Sequence, residues 1–149
     1  LSIVRQGMFE VSNHERGTAY ASRIADPTKV MAGKTGSSQV FSISAAERAA
    51  GVRSQDELPW SRRDHALFVA FAPFDAPRYA VTVVVEHGGG GSTAAAPIAR
   101  DIMLFAQHGG LPPTDAYPAS QRTRVSDQLA LLSDRILPPD GATSIVSRT

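Results

Sequence analysis

Lys29-Val30-Met31-Ala32-Gly33-Lys34-Thr35-Gly36-Ser37-Ser38-Gln39-Val40 has an apolar entry, a cationic, hydroxyl-bearing centre with two glycines, and a β-favouring exit into Phe41. The pattern predicts a strand over about 29–41. Side chains alternate along a strand, so Lys34 and Gly36 face one way and Thr35 and Ser37 the other. A twist or bulge at the glycines would bring Lys34, Thr35 and Ser37 to one rim. Such an edge suits an extended ligand ending in a carboxylate. Lys34 supplies charge, Thr35 and Ser37 donate hydrogen bonds, and Gly36 lets a ligand main chain approach without meeting a Cβ. Taken alone, Gly33-Lys34-Thr35-Gly36 also fits a polar turn, and the flanking segments decide between the two.

Upstream, Leu1, Val4, Met8 and Val11 recur at spacings of three and four, which predicts a helix that Gly7 weakens by about 1 kcal/mol. Residues 12–17 read as a loop, and 18–24 as a short strand or turn. Downstream, Ser44-Ala45-Ala46-Glu47 and Ser54-Gln55-Asp56-Glu57 are capping-box patterns. They predict a helical excursion, closed first at Gly51 and then at Pro59, with Trp60 pinning its return. Residues 65–72 and 79–87 are near-continuous apolar runs joined by a short connection, which predicts an antiparallel hairpin covered on both faces. Gly88 to Gly91 reads as a flexible turn into a packing helix over about 94–107, capped by Ser92 or Thr93, with Pro97 in its first turn. Gly109-Gly110-Leu111-Pro112-Pro113 reads as a domain edge. Beyond it, 109–149 is a Pro-rich tail with one amphipathic helix at about 121–137, striped by Val125, Leu129, Leu132 and Ile136.

The 149 residues suffice for one core, and a net charge of +1 gives no electrostatic case for nucleic acid. With no cysteine, disulfides and thiolate metal sites are excluded. His14, His65, His87 and His108 lack paired ligand spacing, so neither a metal nor another cofactor is expected. The tetraglycine run fails as a phosphate cradle. Gly91 stands where a Walker lysine is required, and Thr93 where the dinucleotide fingerprint needs glycine. A hydrolase elbow at Ser92 is likewise broken by Ala94.

Three segments in order resemble the end of a penicillin-binding transpeptidase of the elongation-type class B, the penicillin-binding protein 2 family. They are Ala32 through Val40, Asp64-His65-Ala66-Leu67-Phe68-Val69-Ala70-Phe71-Ala72-Pro73, and Tyr79-Ala80-Val81 through Glu86-His87-Gly88-Gly89-Gly90-Gly91. Gly17-Thr18-Ala19 upstream is similar too, and the likeness runs from about Ile3 to Gln107. It implies an α/β (α+β) fold, the C-terminal part of the penicillin-binding transpeptidase and serine β-lactamase-like architecture. Residues 1–108 would then be a portion of the transpeptidase domain.

The family combines Ser-x-x-Lys, Ser-x-Asn and Lys-Thr-Gly, and only the last is present. Asp26 and Met31 lie three residues before Lys29 and Lys34, and Val11 lies two before the sole asparagine, Asn13. The resemblance therefore implies a C-terminal portion whose nucleophile lies elsewhere. It assigns Lys34 and Ser37 to catalysis, Ser37 through a backbone N–H in the oxyanion hole, and Lys34, Thr35, Gly36 and Ser37 to the substrate carboxylate. The implied ligands are a peptidoglycan stem peptide ending in D-Ala-D-Ala and β-lactams. The implied partners are the rest of the enzyme and elongation-complex membrane proteins, at the periplasmic face of a bacterial inner membrane. Ser37 stands where threonine is common in the family, which keeps the hydroxyl. The alternatives are a non-enzymatic module for peptide carboxylates and a serine β-lactamase relative.

Overall fold

The computed structural model describes residues 1–42, 44–49, 51 and 54–136. Helix α1 (Ser2–Asn13) precedes strand β1 (Ala32–Ser38), and the excursion carries a short helix α2 (Ala45–Ala49). Strands β2 (His65–Ala72) and β3 (Tyr79–Val85) follow, then helices α3 (Ala96–His108) and α4 (Arg122–Ile136). The strands form one antiparallel sheet in the order β1-β2-β3.

β1 is shorter than the sequence suggests at both ends. Before it, Asp26 accepts from the N–H and hydroxyl of Thr28 at 2.8 and 2.7 Å, closing a turn over 26–29. Those bonds, Thr28's hydroxyl first, hold the Asp26 carboxyl below its usual range. At the other end β2 begins at His65, opposite Ser38, so Gln39 to Phe41 have no strand to pair with among the described residues. The ladder runs unbroken from Ala32 opposite Phe71 to Ser38 opposite His65, without the bulge anticipated at the glycines. β3 stops at Val85, short of the expected 87, because His87 turns to a positive φ of 53°.

The register puts Gly33, Thr35 and Ser37 on the same face as Ala66, Phe68, Ala70 and Val83. The core lies on that face, closed by Ala95, Ala96, Ala99, Met103 and Leu104. Alanines on both layers let α3 lie close, and the fully buried Phe68 fills the remaining volume. A Cβ at Gly33 would strike the Phe68 ring and the Val69 carbonyl. The opposite face is only partly covered, contrary to the two-sided burial read from the apolar runs. Val69 is 40% exposed there and Val84 55%. β-Branched residues favour a pleated strand whether or not anything covers it, so composition did not separate the cases.

α1 is tied by polar contacts to the residues that flank β1 and β2. The Asn13 amide donates to the carbonyls of Phe9 and Met31 at 2.9 Å each, and Arg5 donates to the Phe74 carbonyl at 2.6 Å. Gly91–Ala95 forms a wide π-type turn before α3, so the helix begins slightly later than expected. Neither Ser92 nor Thr93 caps it, and the Thr93 hydroxyl instead donates back to Gly90 O. Pro97 does sit in the first turn of α3.

Residues beyond Gly110 return to the same core, where Ala116, Tyr117 and Val125 join Ala19 and Ile24. Ala25 N–H donates to Ala116 O at 2.7 Å. The Gln121 side chain accepts from buried Arg100 at 2.6 Å and donates to Ala21 O at 2.6 Å. No helix among the described residues is long and apolar enough to cross a membrane.

Burial, with the carboxylate of Asp101 adding to it, pushes the Tyr117 hydroxyl up to about 12 from an ordinary 10.0. Unfolded chains ionise first, so this contribution is fully present below pH 10 and is lost as pH rises toward 12. The shift corresponds to at most about 3 kcal/mol. Urea unfolding between pH 8 and 11.5 is expected to weaken steeply for the native chain and less for Tyr117→Phe. Parallel curves would refute the assignment.

Candidate functional site

β1 is the terminal strand of the sheet among the described residues, so one side of its backbone carries no strand partner. Strand N–H and C=O groups point alternately toward and away from the neighbour. Gly36 lies against Leu67, and a Cβ built on Gly91 would meet Leu67 O, Gly36 O and Gly36 N together. This marks Gly36 as bonded toward β2. Thr35 and Ser37 therefore turn their backbone groups outward, and Thr35 O accepts from the Lys34 ammonium at 2.8 Å.

The four predicted residues occupy one short length of this edge. Lys34 and Ser37 are exposed, while Thr35 and Gly36 are half-buried. Lys34 and Gly36 lie on one face and Thr35 and Ser37 on the other, as alternation requires. They converge on the open side through the backbone rather than through a bulge. A Cβ at Gly36 would find only Leu67 Cβ, at 3.4 Å.

Several neighbours were given no role in the site by the sequence. The Thr18 hydroxyl lies 3.1 Å from that of Thr35. Gly17 places it, since a Cβ there would strike the carbonyls of Glu10 and Val11. Thr18 also borders a groove of about 430 Å³ whose lining includes Glu10, His14 and Arg16. Gly91 is buried behind Gly36, so it serves close approach rather than the flexibility first read in the tetraglycine run. The glycine run was visible in the sequence; which of its members needed room was not.

The excursion between β1 and β2 returns through specific contacts. The capping box of Ser54 and Glu57 is formed, with Ser54 N–H donating to Glu57 at 2.7 Å. It opens a single 3₁₀ turn, Gln55–Glu57. Glu47's side chain, which the first box invokes, lies outside the described residues. Gln55 exchanges two hydrogen bonds with Asp64, at 2.8 and 3.1 Å. Trp60 stays 62% exposed but rests its ring 4.4 Å from His87, whose backbone N–H donates to His65 Nδ1 at 2.9 Å. His65 and His87 are thus structural at this end of the sheet.

A family model described as penicillin binding protein transpeptidase domain matches residues 1–104. The peptidoglycan D,D-transpeptidase MrdA of Haemophilus influenzae is 37% identical over 133 residues, 88% of this chain and 20% of that enzyme. Its namesake in Escherichia coli K12 is 35% identical over 113 residues, 74% of this chain and 17% of that enzyme. Among solved structures, the complex between penicillin-binding protein PBP2 and MreC from Helicobacter pylori matches 71% of this chain and 17% of that one. The match has a TM-score of 0.54 at 33% identity. The chain thus spans about a fifth of the length of the curated relatives it matches.

Proposed function

The chain belongs to the penicillin-binding protein transpeptidase family, and from that premise we propose that β1 is the substrate-gripping edge of a peptidoglycan D,D-transpeptidase of the elongation type. Residues 1–108 are the C-terminal part of its transpeptidase unit, and 109–149 a Pro-rich segment that follows it, with Ala116, Tyr117 and Val125 packed into the same core. The observation that carries this reading is the open edge at Lys34–Ser37, where an ammonium, outward backbone groups and an uncovered glycine meet.

A stem peptide ending in D-Ala-D-Ala adds to β1 as a further strand, using the outward backbone groups. The Lys34 ammonium and the hydroxyls of Thr35 and Ser37 receive its terminal carboxylate. Ser37 N–H points to the developing oxyanion, a donor whose loss costs about 3–4 kcal/mol of transition-state stabilisation. The nucleophile is a serine of a Ser-x-x-Lys motif supplied by sequence outside these residues. It attacks the D-Ala-D-Ala carbonyl, expels D-Ala, and the acyl group passes to an amine of a neighbouring strand. β-Lactams carry a carboxylate at a comparable distance from a reactive carbonyl and acylate the same serine. The whole enzyme works at the periplasmic face of the inner membrane, beside a partner of the kind seen with the Helicobacter protein.

A fluorescent penicillin is expected to label the enzyme that contains this segment and not the 149-residue chain by itself. Stoichiometric covalent labelling of the chain alone would overturn the proposal.

A further inference from the structure

We infer that Thr18 is a positioning residue for the carboxylate site, acting through the hydroxyl of Thr35; this rests on the function proposed for β1. The two hydroxyl oxygens stand 3.1 Å apart, and either can donate. A threonine hydroxyl has one proton, whereas a carboxylate only accepts. If Thr35 gives its proton to Thr18, it has none left for a substrate. When Thr18 is the donor, Thr35 accepts from behind and its own proton is free to point outward. The pair is therefore a directional relay, and a bound carboxylate fixes its direction. Donation by Thr18 also polarises the Thr35 hydroxyl and strengthens the bond it makes.

The surroundings hold both members in place. Thr35 is tied at a second atom, its carbonyl oxygen, by the Lys34 ammonium at 2.8 Å. Thr18 sits on a turn closed by Gly17 N–H to His14 O at 2.7 Å and Ala19 N–H to Val11 O at 3.0 Å. The next residue, Ala19, is buried in the core, so the turn cannot slide along the sheet edge without unpacking it. No other hydrogen bond engages the Thr18 side chain among the described residues, which leaves its proton available to Thr35.

The test uses the whole enzyme and two acylating probes, a penicillin and the same penicillin with its carboxylate converted to the methyl ester. Thr18→Val keeps the shape of an exposed side chain and removes the donor. It is expected to slow acylation by the penicillin roughly tenfold, the effect of one hydrogen bond to a charged ligand's partner. It should leave the slower reaction with the ester unchanged, and Thr18→Ser should restore the native rate. A loss that is equal on both probes, or no loss at all, would overturn the inference. Thr35→Val is the companion measurement. If it too leaves the preference for the carboxylate intact, the proposed function of β1 fails and takes the Thr18 role with it. If Thr35→Val abolishes the preference and Thr18→Val does not, only the relay fails.

Discussion

Gly91→Ala is expected to destabilise the protein by about 3 kcal/mol or more, lowering its melting temperature by roughly 10 °C. The new methyl would run into Leu67 O, approach Gly36 O at 2.6 Å and approach Gly36 N at 3.1 Å. All three atoms belong to the β1–β2 ladder, so relief requires moving a strand rather than turning a side chain. The strand that would move is the one carrying Lys34, Thr35 and Ser37. Penicillin acylation in the whole enzyme should therefore fall together with stability. Gly110→Ala, with open space around its Cβ position, should leave both unchanged. Gly36→Ala, which meets only Leu67 Cβ at 3.4 Å, should cost little stability. Calorimetry on the three variants separates these outcomes, and a native melting curve for Gly91→Ala would show that the packing behind Gly36 is looser than described.

Lys34→Met should behave in the opposite way. Lys34 is exposed, and among the described residues its side chain is held by Thr35 O alone. Surface substitutions of this kind change stability by less than about 0.5 kcal/mol. Acylation of the whole enzyme by penicillin should nevertheless slow by about two to three orders of magnitude, the scale at which a preorganised charge or donor at the reacting centre acts. Lys34→Arg should not recover it, because a planar guanidinium fork does not reproduce the compact point charge of an ammonium. Rates from fluorescent penicillin, measured beside melting curves, give the answer. Native acylation by Lys34→Met would remove the ammonium from the site.

Spacing and apolar runs served well for where the longer elements lie. The three-and-four spacing of Val4, Met8 and Val11 predicted α1, and the paired apolar runs predicted the β2–β3 hairpin. The motif at Lys34 placed the edge strand, because alternation and the position of a strand depend on short-range geometry. What escaped depends on contacts between distant parts of the chain. A glycine needed for space looks the same in sequence as one needed for a turn, so the sequence alone reads Gly91 as the second kind. Thr18 stands 17 positions from Thr35, and nothing local marks the meeting of their hydroxyls. The return of Tyr117 to the core is carried by single 3₁₀ turns flanked by prolines, which have no period to detect.

Gln121 joins Arg100 to the carbonyl of Ala21, three residues after Thr18, across 100 positions of sequence. The fastening that steadies the turn carrying Thr18 is thus made 100 positions further along the sequence, by residues outside the Lys34–Ser37 motif. A nonsense codon just ahead of Tyr117 would spare every letter of the motif and still unmoor it. In a genetic screen such a lesion would masquerade as a catalytic mutant.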